Sequence, residues 1–128
     1  MINYSAVNDL HFAIRNFGLI RVLSDVFGKG AKIKLWFSKK GCDTDICDLN
    51  LSVRSYNCLK RANVSTVGQL IDVINKDQLL SIRNLGANSR AEIRVKALEF
   101  GYLNCDEKEQ KEFVKELLNL NTESIQPC

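Results

Sequence analysis

DLNLSVRSYNCLKRANVSTVGQL, beginning at Asp48, and LLSIRNLGANSRAEIRVKALEFG, ending at Gly101, bound the stretch whose reading decides the fold. Ser52 is a good N-cap for a helix over about Val53 to Ala62, because its hydroxyl can accept a hydrogen bond from an orphan amide of the first turn. At about 100° per residue, Val53, Tyr56 and Leu59 fall on one side, and Arg54, Asn57, Cys58 and Arg61 on the other. That second face is polar and basic. Asn63 leaves the helix, and Thr66 with Gln69 three residues on forms a capping box. The helix it starts has Val67, Leu70, Ile71 and Ile74 as its buried stripe, and Lys76 to Ile82 leaves room for only a turn or two of helix.

NLGANS follows. Gly86 sits between that short helix and a new one, where positive φ or a close backbone approach is wanted. Asn88 or Ser89 caps the new helix, and Ser89 with Glu92 has capping-box spacing. Ile93, Ala97 and Phe100 face inward, and Gly101 before Tyr102 reads as a left-handed C-cap. Helix, tight glycine turn, helix is the helix-hairpin-helix arrangement. Amide N–H groups at such a helix start, helped by the helix dipole, can hold a DNA phosphate without reading sequence.

Working outward, Ala6, Leu10, Ala13, Ile14 and Phe17 recur at helical spacing. Gly18 interrupts, and Leu19, Val22, Leu23 and Val26 resume the stripe, as one helix with a weak point or as two packed helices. GKG at 28–30 is a turn. In AKIKLWF, over 31–37, apolar residues alternate with Lys32, Lys34 and Trp36, the period of a half-buried strand. A lone strand needs a partner: it pairs with another copy, lies on the helices as an extended arm, or is no strand. CDTDICD reads as a short acidic linker. Beyond the central stretch, Asp106 and Glu109 form a capping box for an amphipathic helix with Phe113, Leu117 and Leu120 on one side and Val114 and Leu118 beside them. NTESIQPC is a frayed tail.

Composition sets the limits. A chain of 128 residues, 45% hydrophobic and 26% charged, suits one small globular domain with appendages. No apolar run approaches the roughly 18 residues of a membrane span, and the polar amino terminus lacks the pattern of a secretion signal, so a cytoplasmic, nucleoid-associated location is expected. Cys42, Cys47, Cys58, Cys105 and Cys128 form no disulfide framework, and the pair Cys42 and Cys47 lacks the second pair of a structural zinc site. No metal or cofactor is expected. His11 has no catalytic partner set and reads as structural, and Trp36 as a packing or interface residue, so no enzyme is indicated. The net charge of +3 hides a gradient: 1–41 carries +5, 42–102 carries +1 and the remainder −3. A basic front end suits a polyanion.

Val53-Arg54-Ser55, Asn57-Cys58-Leu59-Lys60, the downstream Asn84-Leu85-Gly86, Ser89 and Glu92-Ile93 together closely resemble the carboxy-terminal domain of the bacterial RNA polymerase alpha subunit. The resemblance spans Asp48 to Tyr102, and its first motif is the specific one. It implies a compact helical domain that grips A·T-rich minor groove upstream of promoters. The residue matching Arg54 enters the groove, those matching Asn57 and Cys58 contact backbone nearby, and Gly86, Ser89 and Glu92 match the phosphate-binding turn. The sequence departs from the pattern in three places: Ala87 and Asn88 stand where basic residues are usual, Arg90 replaces an apolar residue, and Asn50 replaces an acid directed at sigma factor.

The expected architecture is mainly α: a compact helical bundle with a helix-hairpin-helix over 46–103, a basic amino-terminal extension over 1–45, and an amphipathic helix and tail over 104–128. The expected function is a stand-alone DNA-binding protein of transcription or its regulation. Its partner is A·T-rich double-stranded DNA, bound through Arg54, Asn57, Cys58, Arg61, Gly86, Asn88, Ser89, Arg90 and Glu92. The alternative is an adaptor that docks on RNA polymerase, sigma factor or an activator with little DNA contact. The apolar stripes at both ends fold back on the core or form a homodimer interface.

Overall fold

Helix-forming patterns separated by glycine, asparagine and short turns give a series of helices packed around one long member. The computed structural model describes residues 4–27, 33–35, 37 and 41–121. Its helices are α1 (Tyr4–Phe17), α2 (Leu19–Phe27), α3 (Val53–Arg61), α4 (Val67–Asn75), α5 (Ala87–Leu103) and α6 (Glu107–Leu120), with 3-10 turns at Ile46–Leu49 and Leu79–Ser81. Among the described residues there is no sheet, only an isolated antiparallel bridge between Asp45 and Thr66. The mainly α expectation is met. Helix α5 is the hub: α2, α3, α4, α6 and the first 3-10 turn all pack on it, while α1 lies across α2 and α6.

Capping fixes three helix starts where the sequence puts them, the first by the Ser52 cap of α3. The Thr66 and Gln69 box opens α4 and the Asp106 and Glu109 box opens α6, each with both reciprocal bonds. Gly18 takes φ +96°, so the amino-terminal stripe is two helices. Phe17, expected on the buried stripe, is 65% exposed because α1 stops there and the backbone turns at Gly18. Asn63 leaves α3 with φ 64°.

Four local expectations are corrected. Gly101 is no C-cap: α5 continues to Leu103, and Gly101 is buried in its last turns where the Phe113 and Phe37 rings approach. The segment after Gly41 is no linker. Ile46 N–H donates to Ser65 O, Val67 N–H to Thr44 O and Gly68 N–H to Cys42 O, and Ile46 and Leu49 are buried. Leu120 is 44% exposed rather than inside. Asn121, expected as the first residue of a frayed tail, is buried at the end of α6.

The alternating segment resolves as an extended arm, because side chains replace the missing neighbouring strand. Lys34 N–H donates to Asn121 Oδ1 at 2.6 Å and Asn121 Nδ2 donates back to Lys34 O at 2.7 Å. Asn75, the last residue of α4, does the same for Leu35 at 2.7 and 2.8 Å. Two carboxamides thus satisfy two consecutive peptide units that burial would otherwise strand. Phe37 then stacks on Phe100 with ring centroids 6.0 Å apart, where Gly41 and Gly101 leave room. Residues 31, 32 and Trp36 of the expected strand, the 28–30 turn and the 122–128 tail lie outside the described residues.

One contiguous cluster of buried apolar side chains joins all three stretches of sequence, from Ile14, Val22 and Phe27 through Leu59, Leu70 and Ile93 to Phe113 and Leu117. Both terminal apolar stripes fold back on the core.

Candidate nucleic-acid interface

The start of α3 is fixed by α5. Ser52 caps α3, its Oγ accepting from Ser55 N–H at 3.3 Å. Glu92, from the second turn of α5, then accepts from Ser52 N–H at 3.0 Å, Ser52 Oγ at 2.9 Å and Ser55 Oγ at 2.5 Å. The Ser55 hydroxyl bond is the main influence holding the Glu92 carboxyl below the usual carboxylate range; partial burial opposes it, and the Ser52 groups and the Lys96 charge add to it. The capping box expected between Ser89 and Glu92 does not form, and the Glu92 carboxylate braces two helices instead.

This brace sets the roll of α3. The buried residues are Ser55, Cys58 and Leu59, whereas Val53 is 77% exposed and Tyr56 is half-buried with the Lys60 ammonium 5.6 Å from its ring centre. The expected face was Val53, Tyr56 and Leu59. Hydropathy alone pushes a serine and a cysteine outward, but here the Ser55 hydroxyl has Glu92 and the Cys58 thiol donates to Asn84 O at 3.6 Å. Burial of these small polar groups therefore costs little. Cys58, expected outward beside Asn57, is buried; Arg54, Asn57 and Arg61 are exposed at i, i+3 and i+7, a stripe along one side of the helix.

The turn before α5 also differs in detail. Gly86 has φ −79° and is itself the N-cap, with no heavy atom within 4 Å of where a Cβ would lie. The left-handed residue is Asn84, at φ 67°. Because α5 starts at Ala87, Asn88 and Ser89 lie inside its first turn and cap nothing. This helix start has no side-chain cap; its first helical bond is Arg90 N–H to Gly86 O, so the amides of 87, 88 and 89 precede it without an intrahelical acceptor. Arg90 Nη1 donates to Leu85 O at 2.8 Å, which keeps its guanidinium folded back over the turn.

The two motifs meet. Glu92 joins α5 to the residues flanking Arg54, and Cys58 joins α3 to Asn84, two residues before Gly86. Charge is distributed unevenly around this junction. Arg15 pairs with Glu107, Lys60 with Asp45, Lys76 with Asp72 and Arg94 with Asp77. Arg54, Arg61 and Arg83, all exposed, have no ion-pair partner among the described residues. Arg83 was not among the expected site residues, since only the folded turn carries it to α3.

Elsewhere, His11 is buried with Nδ1 3.3 Å from the Tyr102 hydroxyl and Nε2 without a partner. Burial is the first cause of a lowered pKa there, with the Lys111 and Arg15 charges adding and Glu107 opposing. Among the described residues no group of three or more His, Cys, Asp or Glu could hold a metal ion, and no helix is long and apolar enough to cross a membrane.

Comparison with known proteins agrees with the geometry. The profile of the family formed by the C-terminal domain of the bacterial RNA polymerase alpha subunit matches residues 38–99. The DNA-directed RNA polymerase subunit alpha of Roseiflexus sp. (strain RS-1) is 54% identical over 61 residues, covering 48% of this sequence and 19% of the relative. That of Rubrobacter xylanophilus is 56% identical over 55 residues, 43% of this sequence and 17% of the relative. The match to the Acidothermus cellulolyticus subunit is longer, 44% identical over 89 residues, 66% of this sequence and 26% of the relative. The protein thus spans about a fifth of the length of the curated relatives it matches. No solved structure gives a significant match. On the motif, the helical bundle and these similarities, residues 38–99 form a domain like the C-terminal domain of the bacterial RNA polymerase alpha subunit.

Proposed function

We propose that the protein binds A·T-rich double-stranded DNA in the service of transcription, with Arg54 in the minor groove. A narrow A-tract groove concentrates negative potential and attracts a guanidinium. Asn57 holds backbone beside it, and the uncapped amides at the start of α5 take a phosphate. The observation that carries this reading is the stripe of Arg54, Asn57 and Arg61, without ion pairs among the described residues, lying next to a helix start that has no side-chain cap. Cys58 supports the site from beneath by holding Asn84, and Glu92 by holding Ser52 and Ser55.

The test is titration of A·T-rich and G·C-rich duplexes at two salt concentrations by fluorescence anisotropy. The 128-residue protein binds the A·T-rich duplex more tightly than the G·C-rich one, and both more weakly as salt rises. Arg54→Ala loses about 1–3 kcal/mol, roughly 5- to 150-fold in affinity, and most of the A·T preference. Equal binding by wild type and Arg54→Ala sinks the reading.

One observation favours a second reading. Ala87 and Asn88 are exposed and uncharged at the helix start, as suits an adaptor that docks on RNA polymerase, sigma factor or an activator. Absence of salt-dependent duplex binding, together with co-purification of polymerase subunits, selects it.

A further inference from the structure

Beside the Arg54 face lies a second feature. The carboxy-terminal end of α3, the end of α4 and the turn at 82–84 enclose an open cleft of about 520 Å³. Arg61 and Arg83 stand on its two sides, Gln78, Ser81 and Asn84 add amide and hydroxyl groups, and no carboxylate among the described residues lines it. Neither arginine has an ion-pair partner among the described residues. Two other clefts differ in this respect. Arg94 on the one between α2 and α5 is paired with Asp77, and the one between α1 and α5 contains Glu99 and Glu107 as well as Arg15.

The walls are fixed to each other. Cys58 lies one turn before Arg61 on α3, and its buried thiol donates to Asn84 O, the residue after Arg83. The cleft is also continuous with the proposed interface: Arg61 ends the stripe that begins at Arg54, and Asn84 lies two residues before Gly86. Seven helical residues advance about 10 Å, so Arg61 sits well beyond the backbone that Arg54 faces.

We infer that this cleft holds a further phosphate of the bound DNA strand between the Arg61 and Arg83 guanidinium groups, and that Arg83 is a binding residue replacing the positive charge absent at Ala87 and Asn88. The inference rests on the DNA reading above. Guanidinium groups suit it, since their fixed fork of donors matches phosphate oxygens. A contact of this kind reads no bases, so it strengthens binding alike on any sequence.

The experiment measures affinity of the 128-residue protein for A·T-rich and G·C-rich duplexes across about 50–200 mM salt, for wild type, Arg83→Gln, Arg61→Gln, Arg83→Lys and Arg54→Ala. Each glutamine variant weakens both duplexes by the same factor and lowers the slope of log affinity against log salt, the loss for the whole cleft being about 0.9, the value for one phosphate. Arg83→Lys keeps most of the slope, and melting temperatures are unchanged because both side chains are exposed. If Arg83→Gln and Arg61→Gln keep wild-type affinity and slope while Arg54→Ala weakens binding, the interface stands and the cleft proposal falls. If wild type shows no salt-dependent duplex binding, both fall.

Discussion

The face built by α3 and the start of α5 and the region around the arm at 33–35 and 37 treat polar groups in opposite ways. On the first face Arg54, Asn57, Arg61 and Arg83 are exposed, and α5 begins at Gly86 with no side-chain cap. In the second, Asn75 and Asn121 turn their carboxamides onto the arm backbone and Phe37 lies where two glycines make space. The contrast separates structural from functional polarity. A polar group that the fold needs is buried and matched, and one that a partner needs is exposed and left unmatched. Residue type alone does not distinguish them, since Asn57, exposed and proposed to meet DNA, and Asn121, buried and matched, are the same amino acid.

The largest effect expected from this contrast is on stability. Asn121→Ala removes the acceptor for Lys34 N–H and the donor for Lys34 O and Leu117 O. Each buried group left unmatched costs about 1–3 kcal/mol, so the variant should lose about 2–4 kcal/mol in urea unfolding. Asn75→Ala should follow closely. Asn57→Ala, on the open face, should change stability by less than about 0.5 kcal/mol. If Asn121→Ala and Asn57→Ala unfold at the same denaturant concentration, the distinction between matched and open polar groups is broken.

A smaller effect concerns the two glycines at opposite ends of α5. A Cβ at Gly101 would lie 2.9 Å from both Phe113 Cε2 and Phe37 Cε1, whereas at Gly86 it meets nothing. Helix propensity favours alanine inside a helix by about 0.8–1.0 kcal/mol, but overpacking a filled core costs about 1–3 kcal/mol. Gly101→Ala should therefore destabilise by about 1 kcal/mol net and weaken the quenching of a probe placed on the arm. Gly86→Ala meets no such crowding and should cost only the preference of an N-cap for glycine over alanine, about 0.5 kcal/mol, in thermal melts. A stabilised Gly101→Ala would mean that the arm does not fill that space.

Much of this was legible in the sequence, and the failures have specific causes. Local rules succeeded where both partners lie within four residues, as in the boxes at Thr66 and Asp106 and the cap at Ser52. Ser89 and Glu92 have the same spacing, yet Glu92 found Ser52 and Ser55, about 40 residues away in sequence, and no box formed. The same long-range bonds rolled α3 and buried Cys58. The lone strand was legible as a pattern, but its partners were side chains at 75 and 121, which no periodicity reveals. Arg54 was legible from the motif, whereas Arg83 joins the face only through the Cys58 to Asn84 contact.

The smallest effect expected tests Glu92, which lies on the open face yet is matched as the polar groups of the arm region are. Its carboxylate gathers three donors from Ser52 and Ser55, and these bonds hold its pKa below the ordinary value of 4.5. Between that ordinary value and the lowered one, the unfolded state holds more protons than the folded state, so stability increases with pH across the window. The contribution is complete above 4.5 and is lost as pH falls through the folded value. Glu92→Gln should lower stability at neutral pH by about 1 kcal/mol, the net worth of an ordinary hydrogen bond, and flatten the acid limb of a melting-temperature profile. A DNA-contacting carboxylate would behave differently. It would repel phosphate, so its removal would raise duplex affinity and leave the acid limb unchanged, and that outcome would return Glu92 to the open face.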